Sequence, residues 1–344
     1  MFDWISHVST SGLLIIFSGA GIVIVVAGTR FAGIVDCLAD RTHIGEAIAG
    51  AVFMGATTSL PDIVVSTSTA ATGHPELALA NAIGGIAVQT AFLAIADITY
   101  RRANLEHAAA SLTNMLQATL LIVLLAIPLM AMATPEVAVL GVHPASIAML
   151  IVYGFGLRWT ARNRDSVAWR PAVTQETVGD EENTGDDQRS LSRLWGTFIF
   201  YACIVVAAGY AVAETGVGLA ECTGLSESAV GAVFTGVATS SGELVTSIAA
   251  VRRGALTLAV GGIVGGNTFD TLLVAVSDGA FRQGSIYHAV GDHPAFLAAS
   301  TVLMSAILLM GLLSRQKQGW GNIGFESVLI LAIYSGTIAL LFVF

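Results

Sequence analysis

A chain of 344 residues that is 55% hydrophobic and only 11% charged is too apolar for an ordinary soluble domain, in which roughly a quarter of residues carry charge. Its mean hydropathy of +0.77 puts it among polytopic membrane proteins. The formal charge of -9 arises from 24 acids against 15 bases, and no basic patch provides a footing for nucleic acid.

Crossing a hydrocarbon core of about 30 Å takes about 20 apolar residues in a helix. Segments of that kind are predicted near 12–34, 44–70, 77–98, 108–132, 138–160, 195–214, 225–251, 255–280, 288–313 and 324–343. The expected fold is therefore an all-α polytopic membrane protein with ten transmembrane helices, five on each side of a loop over 161–194. The first run has no Lys or Arg before it and no clear small-residue cleavage site after it, which suits a first membrane helix better than a cleaved signal peptide. Ser226 with Glu227 is predicted to open the seventh helix, and Asn322 with Gly324 to separate the ninth from the tenth. Within the long loop, the acidic run Gly179 to Asp187 is expected to be solvated, with a regulatory cation site as the alternative. Cys37, Cys203 and Cys222 show no metal-ligand spacing.

Excess positive charge stays on the cytoplasmic side of a membrane. Loops after odd-numbered helices hold Arg30, Arg41, Arg101, Arg102, Arg158, Arg162, Arg164, Arg170, Arg189, Arg193, Arg252, Arg253, Arg315 and Lys317, whereas the termini and the even-numbered loops hold only Arg282. Both termini are therefore expected outside a plasma membrane, with the 161–194 loop cytoplasmic. Trp159, Trp169 and Trp195 flank that loop as an aromatic belt would.

One stretch occurs twice. Residues 50–97 align without a gap onto residues 231–278 at an offset of 181, and 17 of the 48 pairs are identical. Because the intervening number of spans is odd, the copies face opposite ways, and the chain divides into a five-helix repeat over 1–160, the loop over 161–194, and a second five-helix repeat over 195–344. Inverted repeats of this kind place a shared site near the bilayer midplane.

Each copy sets a carboxylate in an apolar run, Asp62 in one and Glu243 in the other, with a second polar group 27 residues later, Gln89 and Asp270. At 3.6 residues per turn, Thr58, Ser59, Asp62, Ser66 and Thr69 fall along one side of a helix, as do Thr239, Ser240, Glu243 and Ser247. Pro61 removes a backbone donor beside Asp62, and Gly242 is expected to loosen the matching turn beside Glu243, freeing carbonyls in both copies. Oxygen ligands of these types suit calcium and sodium, and the lack of nitrogen and sulfur ligands argues against zinc or copper. A competing view has the hydroxyls bonding back to helix carbonyls, the glycines serving close packing, and Asn81 and Gln89 joining helices. For Asp62, Glu243 and Asp270 that view lacks a counter-ion, since no Lys or Arg lies in the same helical runs.

Thr58-Ser59-Leu60-Pro61-Asp62 and Thr239-Ser240-Ser241-Gly242-Glu243 resemble the two GTSLPE-type motifs of the cation/calcium exchanger superfamily. Ala80-Asn81-Ala82-Ile83-Gly84-Gly85 and Gly265-Gly266-Asn267-Thr268-Phe269-Asp270 resemble its GN..GSN..N/D motifs. The resemblance to the prokaryotic sodium/calcium branch implies that Asp62 and Glu243 are central calcium ligands, completed by Thr58 and Thr239. It further implies that Ser59 and Ser240 line sodium sites and that Gln89 and Asp270 sit at the middle position. The chain departs from the pattern with Asp62 for Glu, Gln89 for Asn, Gly242 for Pro, and Gly85 and Gly266 for two serines.

The expected function is secondary antiport of calcium or a related divalent cation for sodium, with no resident cofactor and no nucleic-acid partner. Proton coupling and a passive cation channel are the alternatives within transport. An intramembrane aspartyl protease would need paired acids at hydrogen-bond reach, and no GxGD motif is present, so an enzyme is not expected. Asp97 and Asp278, paired between the repeats, are expected at helix ends as caps or at a cation access route; His74, His143 and His293 are expected in outer turns.

Overall fold

The computed structural model describes residues 8–42, 48–99, 104–139, 141–163, 190–253, 256–316 and 323–343. The acidic run, Arg101, Arg102, Arg164, Arg170, Arg189, Trp169, Lys317 and Asn322 lie outside the described residues. Helices come in the order α1 (Thr10–Thr42), α2 (Ile48–Thr58), α3 (Leu60–Ala71), α4 (Pro75–Thr99), α5 (Leu105–Ala108), α6 (Leu112–Met132) and α7 (Pro144–Asn163). Then follow α8 (Leu191–Thr223), α9 (Glu227–Ala229), a π-helical segment (Val230–Thr235), α10 (Gly236–Arg253), α11 (Leu256–Ala280), α12 (Asp292–Ser314) and α13 (Phe325–Leu341). Among the described residues six helices, α1, α4, α6, α8, α11 and α12, are long and apolar enough to cross a membrane.

The 181-residue offset found in 48 residues of sequence extends across the helix boundaries. Adding it to α1 yields the bounds of α8, adding it to α4 yields those of α11, and adding it to the start of α7 yields the start of α13. Burial separates centre from periphery: in the most apolar window of α4, 94% of residues are buried, against 28% in α1 and in α8. Helices α1 and α8 run along each other at the outside, while α4 packs against α3, α10, α11, α12 and α13. Both outer helices exceed their expected spans of 12–34 and 195–214. At 1.5 Å per residue, 33 residues reach about 50 Å, more than a bilayer core, which is accommodated by tilt.

Two expected spans are irregular. The 44–70 span is broken at Ser59 into α2 and α3, with Pro61 in the first turn of α3, where its missing N–H is tolerated. The 225–251 span opens as expected, with Ser226 Oγ accepting from Ala229 N at 3.1 Å, and then passes through the π-helical segment. Gly242 does not loosen the turn beside Glu243, contrary to the expectation from its place opposite Pro61. It lies within the unbroken α10 because glycine, unlike proline, keeps its N–H and poses no ring clash.

Asp97 and Asp278 are caps, and each clamps the two halves together. Asp97 accepts from Leu105 N at 2.6 Å in its own half, and from Gly324 N at 3.1 Å and Ser327 Oγ at 2.9 Å in the other. Asp278 accepts from Ile286 N at 3.1 Å, His143 N at 2.7 Å and Ser146 Oγ at 2.7 Å. Every partner of one aspartate is the partner of the other displaced by 181. A third link is formed by His74, between α3 and α4, whose Nδ1 lies 2.7 Å from Glu227 Oε1, while Leu77 N donates to Glu227 Oε2 at 3.3 Å.

Hydrogen bonds to a buried carboxylate are worth about 1.5–3 kcal/mol each, so Asp97→Asn and Asp278→Asn should each destabilise the folded protein by about 2–3 kcal/mol. Thermal unfolding in detergent is the measurement, and comparable losses are expected from the two variants. The hydrogen bond to Glu227, opposed by burial and helped by the charges of Glu227, Glu221 and Glu214, raises the His74 pKa above its ordinary value. The stabilisation is thus fully present below about pH 6.5 and lost as pH rises through the folded value. The difference in melting temperature between wild type and Glu227→Gln should shrink between about pH 6 and pH 9.

Candidate functional site: a carboxylate cluster between the halves

The middle of the molecule is assembled by glycine. A Cβ at Gly84 would lie 2.5 Å from Ala232 Cα, one at Gly231 would lie 2.8 Å from Leu77 O, and one at Gly236 would lie 3.1 Å from Gly85 N. Without side chains at these positions α4 meets the π-helical segment backbone to backbone. That contact carries the polar residues of α4 into the second half of the chain.

Asp62 is buried at 2% exposure in the first turn of α3. Its Oδ1 accepts from Thr239 Oγ1 of α10 at 2.6 Å and from Asn81 Nδ2 of α4 at 3.2 Å. Asn81 Nδ2 also donates to Ser66 Oγ at 3.0 Å, and Asn81 Oδ1 accepts from Thr235 Oγ1 at 2.7 Å. A second group forms around Gln89, whose Nε2 donates to Asp270 Oδ2 at 3.0 Å and to Ser240 Oγ at 3.2 Å. Gly85 lies between the groups, and a Cβ there would be 3.4 Å from both Asp62 Oδ1 and Ser240 Oγ.

Glu243 stands at one side, half-buried. Together with Thr57, Thr58, Pro61, Thr239, Gly242 and the α1 residues Gly28 and Phe31, it lines a cavity of about 30 Å³, the size of one water or a bare cation. Pro61 has no N–H for the Thr57 carbonyl four residues before it, so that oxygen lacks its usual α-helical partner.

Among the three acids and Gln89, four oxygens are buried and have no hydrogen-bond partner among the described residues, Asp62 Oδ2, Gln89 Oε1, Glu243 Oε2 and Asp270 Oδ1, and Ser59 Oγ nearby is in the same state. Unpartnered buried acceptors are costly, and a set of them is an arrangement that a positive charge relieves. Yet among the described residues no three His, Cys, Asp or Glu side chains converge tightly enough to hold a metal by themselves. A cation here would need hydroxyl, amide and main-chain oxygens beside the carboxylates, as calcium commonly takes.

Of the residues singled out by sequence, Asp62 and Thr239 belong to one hydrogen-bonded group and Gln89, Ser240 and Asp270 to a second, with Gly85 between them, and Thr58, Glu243, Pro61 and Gly242 line the adjoining cavity. Ser59 is fully buried at the α2–α3 break, and a Cβ added at Gly266 would lie 3.9 Å from Gln89 Oε1. Thr58 and Thr69 direct their hydroxyl protons to helix carbonyls, Met54 O at 3.0 Å and Val65 O at 2.8 Å, as the competing view held. Asn81 does join helices, as the competing view held, bonding α4 to α3 and to the π-helical segment, whereas Thr235 is not among the residues that the sequence singles out. Their signal lies in a contact 154 residues apart that no local spacing contains.

This is a helical multi-pass membrane protein whose paired halves enclose acidic side chains. The chain belongs to the sodium/calcium exchanger protein family, whose model matches residues 12–160 and 193–343. The sodium/calcium exchanger MaX1 of Methanosarcina acetivorans is 28% identical over 141 residues, which is 41% of this chain and 38% of that protein, so the match spans well under half of the relative. Among solved structures, the H+/Ca2+ exchanger CAX is similar with a TM-score of 0.68 at 12% identity, covering 96% of this chain and 86% of that one. The sodium-calcium exchanger NCX_Mj is similar with a TM-score of 0.61 at 18% identity, covering 94% of this chain and 98% of that one. At those identities the likeness is one of fold.

The glycines separate two roles. Gly84→Ala should prevent folding or lower the melting temperature sharply, because its Cβ would meet backbone at 2.5 Å, whereas Gly266→Ala, with its nearest neighbour at 3.9 Å, should fold like wild type. Detergent-solubilised yield and monodispersity by size-exclusion chromatography report the contrast.

Proposed function

We propose that this protein is a secondary antiporter that exchanges calcium, or a related divalent cation, for sodium across the plasma membrane by alternating access. In this reading ten transmembrane helices form two inverted five-helix repeats, 1–160 and 195–344. Both termini lie outside and the 161–194 loop is cytoplasmic, on the strength of 14 of the 15 basic residues falling on one side. The observation that carries it is the set of four unpartnered buried oxygens contributed by both halves, in segments free of Lys and Arg.

The mechanism follows from which atoms are occupied. Asp62 Oδ1 and Asp270 Oδ2 are already acceptors, so the oxygens fully open to a cation or a competing charge are Oδ2 of the first and Oδ1 of the second, beside Glu243 Oε2 and Gln89 Oε1. Thr58, Thr239, Ser59 and Ser240 offer further oxygens at the rim. A divalent ion and its monovalent replacements compete for the same atoms, so they bind in turn and not together. Either load neutralises the buried acids and permits the change of access; the empty site, left with uncompensated charge in low dielectric, resists it. Pro61 and Gly242, and Gly85 and Gly266, serve access and packing around these atoms.

A proton-coupled exchanger is the second reading, and one observation favours it. Positions 85 and 266 are glycine, so two hydroxyls that would ligate sodium are missing, while each acid keeps an oxygen open to a proton. Calcium-45 uptake into proteoliposomes decides between them: uptake driven by an outward sodium gradient at constant pH supports sodium exchange, and uptake driven only by a pH gradient supports proton exchange. Glu243→Gln should insert, fold and lose uptake under both gradients. Wild-type-like uptake by that variant would remove Glu243 from the mechanism, and flux independent of either gradient would indicate a channel.

A further inference from the structure

Asn81 and Thr235 take part in none of the steps above, yet they form a polar bridge that reaches from the π-helical segment through α4 and ends on an acid of the site. Asn81 is fully buried, and both ends of its amide are engaged. Its NH2 group donates to Asp62 Oδ1 at 3.2 Å and to Ser66 Oγ at 3.0 Å, and its oxygen accepts from Thr235 Oγ1 at 2.7 Å. An amide has one donor end and one acceptor end. Asp62, an acceptor only, draws the NH2 end of Asn81; the Thr235 hydroxyl, whose single proton is shared between Asn81 Oδ1 and Gly231 O at 2.9 Å, reinforces that orientation when it donates to the amide oxygen.

From this geometry we infer that Asn81, oriented by Thr235, is a positioning residue that ties down Oδ1 of Asp62 and so leaves Oδ2 as the oxygen that meets the transported cation. The inference rests on the exchange reading and adds to it the device that orients one ligand. Aspartate has two equivalent oxygens and a short side chain, and rotation about its last bond would exchange them. Two donors on Oδ1, Asn81 from the first half and Thr239 from the second, remove that freedom. The counterpart of Asn81 in the second half is Gly262, with nothing within 4 Å of where its Cβ would stand, so Glu243 has no equivalent restraint from α11. A flipped Asn81 would turn its oxygen toward a carboxylate oxygen, and Thr235 opposes that flip from a distance.

The test is calcium-45 uptake in proteoliposomes, separating the half-saturating calcium concentration from the maximal rate. Losing a donor to a charged acceptor should raise the half-saturating concentration about tenfold in Asn81→Ala, with the maximal rate per folded protein kept within about twofold. Thr235→Val should raise it about threefold, and Thr235→Ser, which restores the hydroxyl, should return it to the wild-type value. Since Thr235 acts through Asn81, the double variant Asn81→Ala with Thr235→Val should be no worse than Asn81→Ala alone. A half-saturating concentration unchanged in Asn81→Ala, or additive effects in the double variant, would overturn the inference. Should Asn81→Ala not fold, the Thr235→Val and Thr235→Ser pair decides by the same criterion. Asp62→Asn is measured alongside: retained calcium transport in that variant refutes the exchange reading itself, whereas its loss together with normal affinity in Asn81→Ala refutes only the positioning role.

Discussion

The structure depends on buried carboxylates that are only half satisfied. Asp62 and Asp270 each have one oxygen held by protein donors and one without a partner, and Glu243 has an unpartnered oxygen at the side of a cavity of about 30 Å³. A fully satisfied network would be a rigid structural core, and a wholly unsatisfied one would be too costly to bury. Holding one oxygen fixes the side chain in place, and leaving the other free keeps it available to an ion. No Lys or Arg occurs between Arg41 and Arg101, between Arg193 and Arg252, or between Arg253 and Arg282, so the stretches that carry these acids supply no counter-charge of their own.

The rest of the fold brings these atoms together and holds them. Asp97 and Asp278 clamp the ends of α4 and α11 to the first turns of α13 and α7 in the opposite half, through partners that correspond one to one at the 181-residue offset. Between those clamps, Gly84, Gly231 and Gly236 allow α4 and the π-helical segment to touch through their backbones. Helices α4 and α11, which carry Gln89 and Asp270, are the most enclosed of the long apolar helices, while α1 and α8 form a separate pair at the periphery with most of their surface facing outward.

Correspondence of the halves stops at the site, where it matters chemically. In the first half the acid is the shorter Asp62, set just after a break at Ser59 and restrained by Asn81. In the second it is the longer Glu243, on a continuous helix entered through a π-helical segment, opposite Gly262. One half thus supplies an acid with a fixed reach and the other an acid that can adjust. Under the proposed exchange, both features suit an oxygen cage that accepts ions of different charge.

Sequence by itself determined the membrane class, the two related halves, the offset between them and the polar residues at issue, because hydrophobic run length, repetition and charge in an apolar stretch are all local or periodic properties. It also identified Pro61 as a residue that removes a backbone donor, since a missing N–H acts wherever it stands, but not that the 44–70 span divides into α2 and α3. Tertiary structure alone decided that Gly242 leaves its helix intact, that the irregularity of the second half lies upstream in a π-helical segment, and that Asp97 and Asp278 are clamps. It also decided which oxygen of each acid is occupied, and that Asn81 and Thr235 act together. The physical reason is the same throughout: a hydrogen bond between side chains 154 or 177 residues apart depends on how two helices cross, and no spacing along one chain segment contains that angle or that distance.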